Sequence, residues 1–265
     1  MSRKLMPLLG LAVALAGACS DSTAPSARQV SLSFSGARPA GVAPSAGLAA
    51  SAGGSSLLMA PGDSLVLTDG TNTLIITKVQ VLLREIELKR ANGVDCDSTS
   101  NADACEEFEI GARLVTVPLL QAAQTAIAVD IDSGTYSEIE FDIHKLGGDA
   151  VDNAFAAANP TWPANTSIRV TGFYNGAPFT FITDLDAEQE IQFVPPLVVG
   201  GATSAANVTM RFDLSLWFRN GTTGPLISPA TANQGGANKS LVDNNIKNSI
   251  KAFEDDDRDG DERDH

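Results

Sequence analysis

AIAVDIDSGTYSEIEFDIH, residues 126–144, is the stretch on which the fold turns. Ile127, Val129 and Ile131 alternate with small or polar residues, and Ile139, Phe141 and Ile143 do so again after Ser133-Gly134. A two-residue period on both sides of a glycine-containing break predicts a β-hairpin. For both apolar rows to share one face, odd positions must oppose odd positions, so the loop must hold an odd number of residues. The same register puts Asp130 and Asp132 on the other face with Glu138, Glu140 and Asp142.

Upstream, Thr73–Arg90 (TLIITKVQVLLREIELKR) is rich in β-branched residues. Val79, Val81 and Leu83 share one parity, and Ile86 and Leu88 the other. One extra residue near Arg84 restores a common face, which predicts a β-bulge there. A helix over Leu82–Arg90 is the competing expectation. Further strands are expected at Val30–Ser35, Ser64–Thr68, Glu106–Ile110 and Leu114–Leu119, with a turn at Asp69-Gly70-Thr71-Asn72.

Downstream, Ala150–Ala158 reads as a helical turn. Ser167–Tyr174 and Pro178–Thr183 flank Asn175-Gly176-Ala177 and predict a second hairpin. Glu190–Val199 carries Pro195-Pro196 and is expected at a sheet edge. Asn207–Arg219 reads as one strand, with Met210, Phe212, Leu214, Leu216 and Phe218 to one side and Arg211, Asp213, Ser215 and Trp217 to the other. Ser240–Phe253 reads as one amphipathic helix, capped by Ser240, with Leu241, Ile246, Ile250 and Phe253 as its stripe.

About nine or ten short strands with turn signals between them point to an all-β fold. The expectation is an antiparallel two-sheet β-sandwich, Ig-like or transthyretin-like, with one C-terminal amphipathic helix. The expected organisation is a signal peptide over 1–18, then a tether and flexible loop over 19–56 with a strand at 30–35. The sandwich follows over 57–220, then a loop and docked helix over 221–253, and an acidic tail over 254–265.

The ends and the composition bear on compartment. The chain has 265 residues, 43% of them hydrophobic, and a formal net charge of −14. Phosphates would be repelled by that balance, so nucleic acid is not an expected partner. Arg3 and Lys4 precede a short apolar run from Leu5 to Ala18, too short and too Ala-rich for a good spanning helix. The run ends Leu15-Ala16-Gly17-Ala18-Cys19, which resembles the lipobox of bacterial lipoproteins. By that resemblance cleavage precedes Cys19, which carries the lipid and anchors the protein in a membrane; several acyl chains give stable anchoring where one is marginal. Ser20 after the cysteine resembles an outer-membrane address. An ordinary signal peptide cut at the same place is the other reading. Cys96 and Cys105 flank a polar loop, and export to an oxidising compartment makes a disulfide the natural expectation. A metal thiolate pair lacks both the CxxC spacing and a nearby histidine.

Leu67-Thr68-Asp69, the strand ending Arg84-Glu85-Ile86-Glu87-Leu88, and Ser133-Gly134-Thr135-Tyr136 together resemble a domain of unknown function from exported bacterial and archaeal lipoproteins. The resemblance covers Ser64 to Phe218. It implies a β-sandwich and export, and it carries over no catalytic residue.

Chemistry has two candidate places. Asp255, Asp257, Asp259 and Gly260 match the first half of a D-x-D-x-D-G calcium loop, and Asp261 adds a further carboxylate. The loop's closing Glu does not exist, because the chain stops at His265. A solvated acidic tail is the plain alternative. The second place is the acidic row of the expected hairpin, where Asp130, Glu140, Asp142 and His144 form an alternative metal set. Like charges opposite one another on a sheet are destabilising, and Lys78, Arg84, Lys89 and Arg211 are the expected counter-charges. Ca2+ is the one cofactor this reading allows.

Catalysis has little support. There are two histidines, one of them terminal, and no G-x-S-x-G elbow. Trp162, Phe173, Tyr174, Trp217 and Phe218 would serve a carbohydrate platform only if exposed together. Core and edge packing is the plainer expectation, with Trp217 covered by the C-terminal helix. The function expected is therefore a lipid-anchored, non-enzymatic cell-envelope binding or structural module. The alternative is a hydrolase of envelope or extracellular glycans using paired carboxylates.

Overall fold

A computed structural model describes residues 28–36, 64–91, 106–119, 123–200 and 205–255. Two sheets face one another across a shared apolar interior, an all-β sandwich.

The strands in chain order are β1 (Arg28–Gly36), β2 (Leu65–Thr68), β3 (Thr73–Arg90), β4 (Glu106–Ile110), β5 (Arg113–Val117), β6 (Gln124–Ile131), β7 (Gly134–Ile143), β8 (Ile168–Tyr174), β9 (Ala177–Thr183), β10 (Ala187–Val199), β11 (Ala205–Phe212) and β12 (Ile250–Glu254). Three helices, α1 (Ala150–Ala158), α2 (Leu214–Trp217) and α3 (Lys239–Lys247), sit between them. The smaller sheet runs β12-β11-β1-β6. The larger is built on β3, which pairs with β2, β4, β5, β7 and β8, with β10 beyond β7 and β9 beyond β8. The pairing of β1 with β11 is parallel; the other ladders are antiparallel.

The long strand β3 is the spine. Its pairing with β7 slips by one residue between Arg84 and Glu87, and Glu85 there has φ 47°. The extra residue carries Val79, Val81 and Leu83 into phase with Ile86 and Leu88, and all five are fully buried. The bulge is where the parity break places it, and a strand, not a helix, spans 82–90. Leu82 points the other way, into a small second cluster with Ala112 and Trp162.

The stretch 126–144 is not a hairpin. Its two strands belong to different sheets: β6 pairs with β1, and β7 pairs with β3 and β10. The chain turns from one layer to the other at Asp132-Ser133, where the Tyr136 hydroxyl donates to the Asp132 carbonyl at 2.8 Å. Alternation shows that each strand has a buried face, but it does not identify the neighbour. Ile139, Phe141 and Ile143 are fully buried from one side of the interior; Ile131 is buried, and Ile127 and Val129 are partly buried, from the other.

Two other expectations change for local reasons. The strand expected over 207–219 stops at Phe212. Asp213 caps the short α2, its Oδ1 accepting from the Ser215 N–H at 3.1 Å, as a helix-initiating aspartate does. The rotation buries Trp217 and Phe218 together. The helix expected over 240–253 ends at Lys247, and the chain then adds β12 to the edge of β11. Ser249 serves the junction: its hydroxyl donates to the Ile246 carbonyl and accepts from the Trp217 indole N–H, both at 2.7 Å. Asn238, not Ser240, holds the α3 cap position.

The exposed sheet edges are blunted, as edges of soluble sheets generally are. On β9 the Asn233 side chain accepts from the Ile182 N–H at 2.8 Å, taking the place of a neighbouring strand. On β10, Pro195-Pro196 fall where the pairing with β7 loses register. On β6 the register against β1 shifts beside Ile127.

Candidate functional site

The outward face of the β3–β7–β10 ribbon carries an acidic ladder. Three cross-strand rows follow from the register: Lys89, Glu138 and Gln192; Glu87, Glu140 and Glu190; Arg84, Asp142 and Glu188. Facing carboxylates in adjacent strands repel, so the ladder needs compensation. Lys89 provides part of it, with Nζ 3.4 Å from Glu138 Oε1 and also in contact with Glu140. Gln192 donates its side-chain amide to Glu138. The second basic residue, Arg84, is engaged elsewhere: its guanidinium lies 3.5 Å from Glu85, 3.1 Å from Asp149 and 3.6 Å from the buried Asp152.

On the β10 side the ladder brings its acids close together. Carboxylate oxygens of Glu140, Glu188 and Glu190 lie within 4.8 Å of one another. A hydrogen bond that a protonated Glu188 donates to Glu140, and the Glu140 charge, push the Glu188 carboxyl above its ordinary range. Burial, and then the charge of Glu85, push Asp142 up as well. Two carboxyl groups can share a hydrogen bond only when one keeps its proton.

At the end of the ladder Arg84 Nη1 lies 3.3 Å from His144 Nδ1. A guanidinium only donates, so Nδ1 is the acceptor and the proton sits on Nε2. That nitrogen is 3.6 Å from Asp186 Oδ2. Arg84 also reaches the start of α1. Asp149 caps that helix through the Asp152 N–H at 2.7 Å, and this bond, with the Arg84 charge, holds its carboxyl low. Asp152 in turn accepts from the N–H groups of Gly147 and Gly148.

The expected sites fare differently. Of the alternative metal set, Glu140, Asp142 and His144 share the face, but Asp130 lies on β6 in the opposite sheet and cannot join them. Asp132 is at the inter-sheet corner, 4.0 Å from Arg90. The counter-charge expectation holds for Lys89, whereas Arg84, opposite Asp142 in register, pairs with Glu85, Asp149 and Asp152 instead. Arg211 is in the smaller sheet, stacked 5.0 Å over the Phe253 ring, and Lys78 is exposed on β3 beyond the ladder. Glu188 and Glu190 were missed as partners of β7. The alternation of Glu188, Glu190 and Gln192 was their only signal, and nothing local ties it to a strand some fifty residues earlier.

In the tail, Asp255 is buried and continues β12: its N–H donates to the Asn207 carbonyl at 3.0 Å, and its carbonyl accepts from the Asn207 side chain at 2.8 Å. Asp257, Asp259 and Asp261 lie outside the described residues, as do Cys19, Cys96 and Cys105.

The expected aromatic set is not exposed together. Trp217 and Phe218 are fully buried, and Phe218 meets Phe181 edge-on at 5.1 Å. Trp162 is buried against Leu82 and Ala112, and its indole N–H donates to the Thr166 carbonyl at 2.9 Å.

Several surface depressions are lined by described residues. One of about 390 Å3 lies between β10 and β12 and includes Glu254. One of about 670 Å3 lies beside Asp69 and Arg219, and one of about 410 Å3 between α1 and β5. Each of these holds at most one carboxylate, and none is lined by an acidic residue of the ladder, although Gln192 of its first row lines the depression between β10 and β12. Among the described residues no helix is long and apolar enough to cross a membrane. No family model matches the chain, and neither a curated protein nor a solved structure is significantly similar to it.

Proposed function

We propose that this chain is an exported, lipid-anchored module of the cell envelope that binds without catalysing, and that the ladder on β7 and β10 takes divalent cations weakly. The observation that carries the cation reading is the convergence of Glu140, Glu188 and Glu190 within 4.8 Å on an open face. All-oxygen, carboxylate-rich sets suit hard cations such as Ca2+. The lipid anchor rests on the Leu15–Cys19 motif and on the resemblance to exported lipoproteins. A site at Asp255, Asp257, Asp259 and Asp261 is the competing cation position.

The raised Glu188 beside Glu140 is the one observation that favours a glycan hydrolase. Such enzymes flank a bound sugar with carboxyl groups about 5–9.5 Å apart. Here oxygens of the two carboxyl groups lie within 4.8 Å of each other, closer than that spacing, on an open sheet face, which counts against that reading.

The test is calorimetric titration of the signal-free chain with Ca2+, for the wild type, Glu188→Gln/Glu190→Gln, and a chain ending at Asp255. The cation reading expects a Kd of about 10⁻⁴–10⁻³ M. Heat should disappear in the double variant and survive truncation. The reverse pattern moves the site to the tail, and no heat in any chain ends the cation reading.

A further inference from the structure

Two exposed Asn-Gly pairs are held in opposite ways. Asn175-Gly176 turns between β8 and β9, and Asn220-Gly221 lies in the loop after α2. The Asn175 side chain is tied at both ends: its Oδ1 accepts from the Thr73 N–H at 2.8 Å, and its Nδ2 donates to Asn72 Oδ1 at 2.9 Å. Its own N–H donates to the Thr73 carbonyl at 2.8 Å. The Asn220 carboxamide has no hydrogen-bond partner among the described residues, and neither has the Gly221 N–H. A further pair, Asn92-Gly93, lies outside the described residues.

We propose that Asn220-Gly221 is a self-modification site, where the folded chain converts its own asparagine to aspartate and isoaspartate and thereby loosens the junction that Arg219 holds. The reaction needs only water. The Gly221 backbone nitrogen, its proton taken by solvent, bonds to Asn220 Cγ. The Cγ–Nδ2 bond breaks, and that nitrogen leaves, reprotonated, as ammonia. The five-membered imide then adds water: opening at Cγ gives aspartate, and opening at the backbone carbonyl gives isoaspartate. Nothing is oxidised or reduced. The nucleophile sits one residue along the same chain, so no encounter is needed, and glycine has no Cβ to crowd its amide. Both advantages hold at Asn175 as well. The side chain makes the difference: to turn Cγ toward the Gly176 nitrogen, Asn175 must let go of Thr73 and Asn72, whereas Asn220 gives up no bond.

The product bears on the residue before it. The Arg219 guanidinium donates to the carbonyls of Ser215 at 3.2 Å, Gly224 at 2.9 Å and Thr68 at 3.2 Å, so it joins α2 and the loop to β2. The loop is tight. The Asn220 N–H donates to the Pro225 carbonyl at 3.1 Å, and a Cβ on Gly224 would lie 1.9 Å from the Asn220 carbonyl oxygen. Isoaspartate inserts an extra backbone carbon into this turn. It also sets a carboxylate one residue from Arg219, and a charged acceptor outcompetes neutral carbonyls for a guanidinium. Both changes work against the Arg219 bonds and reshape the depression that Thr68, Asp69 and Arg219 line.

Peptide mapping by mass spectrometry, with enzymatic methyl labelling of isoaspartate, tests this on the signal-free chain aged in its folded state at mildly alkaline pH. Conversion at Asn220 should outrun conversion at Asn175 by roughly tenfold or more, the factor set by breaking two net hydrogen bonds. In denaturant the two rates should converge, because neither side chain is then held. Equal rates in the folded chain, or a faster Asn175, overturn the site, and a gap that persists in denaturant overturns its structural cause. Aged wild type should melt below fresh protein, while aged Asn220→Gln should not, a comparison that sets aside conversion at Asn92. An aged Asn220→Gln that loses as much, or a converted wild type that melts like fresh protein, overturns the link to Arg219.

Discussion

Asp69 and Leu226 are 157 positions apart in sequence, and the Asp69 carboxylate accepts the Leu226 N–H at 2.7 Å. The same carboxylate closes the β2–β3 turn, accepting from the N–H groups of Thr71 at 2.8 Å and Asn72 at 2.6 Å. One side chain thus joins a local turn to the loop that follows α2. Arg219 reinforces the junction by donating to the carbonyls of Thr68 at 3.2 Å and Gly224 at 2.9 Å.

These backbone donors hold the Asp69 carboxyl far below its ordinary value of 3.8. A depressed acid contributes stability above its unfolded value and loses it as pH falls through the folded one. Asp69→Ala should therefore lower the melting temperature at neutral pH, and the gap from the wild type should narrow on acidification below about pH 4. A pH-independent gap would show that the charge state of Asp69 does not matter to the junction.

Gly172 faces β3 so closely that a Cβ would lie 1.9 Å from the Ile75 carbonyl oxygen. Gly176 is in the β8–β9 turn at φ +81° with open space around it. Gly172→Ala should cost about 2–3 kcal/mol by forcing the strands apart. Gly176→Ala should cost about 1 kcal/mol through backbone conformation alone. Denaturant unfolding of the two variants ranks them, and equal losses would contradict the packing argument.

Glu85 occupies the left-handed region at the β3 bulge, where an L-residue other than glycine costs roughly 1–2 kcal/mol. Its pair with Arg84 at 3.5 Å is half-exposed and worth about 0–1 kcal/mol. Glu85→Gly should then leave stability unchanged or raise it by up to about 1 kcal/mol. It should also let Asp142 titrate lower, because the Glu85 charge helps push that carboxyl up. Carboxyl NMR titration of Asp142 checks the second part; an unmoved Asp142 would place Glu85 outside the ladder's electrostatics.

Global stability should peak in mild acid. Glu188 and Asp142 are raised acids, so the folded state holds their protons more tightly and stability falls as pH rises through their folded values. Asp69, Asp149 and Asp184 are lowered acids, whose contribution is lost as pH falls below their ordinary 3.8. Thermal unfolding across pH should show its maximum between these windows, and a maximum at neutral or alkaline pH would contradict the ladder's share.

Much of the architecture was legible for identifiable reasons. The parity break at Arg84 exposed the bulge in β3, Asn175-Gly176 marked the β8–β9 hairpin, and Pro195-Pro196 placed β10 at an edge. The sheet membership of β6 and β7 was not legible, because alternation encodes a buried face and not a partner. The acidic row on β7 could be read, but its partners Glu188 and Glu190 could not, since their register is set by long-range pairing with Glu140 and Asp142. Asp213 was a helix cap inside an alternating run, and the run concealed it.

The most direct test of the account is paramagnetic broadening by Mn2+, used as a calcium surrogate, in amide NMR spectra of the signal-free chain. The convergence of Glu140, Glu188 and Glu190 predicts that sub-stoichiometric Mn2+ broadens residues 138–142 and 188–192 together, ahead of β6 and β12. Broadening centred beyond Glu254, or on 138–142 without 188–192, would contradict it.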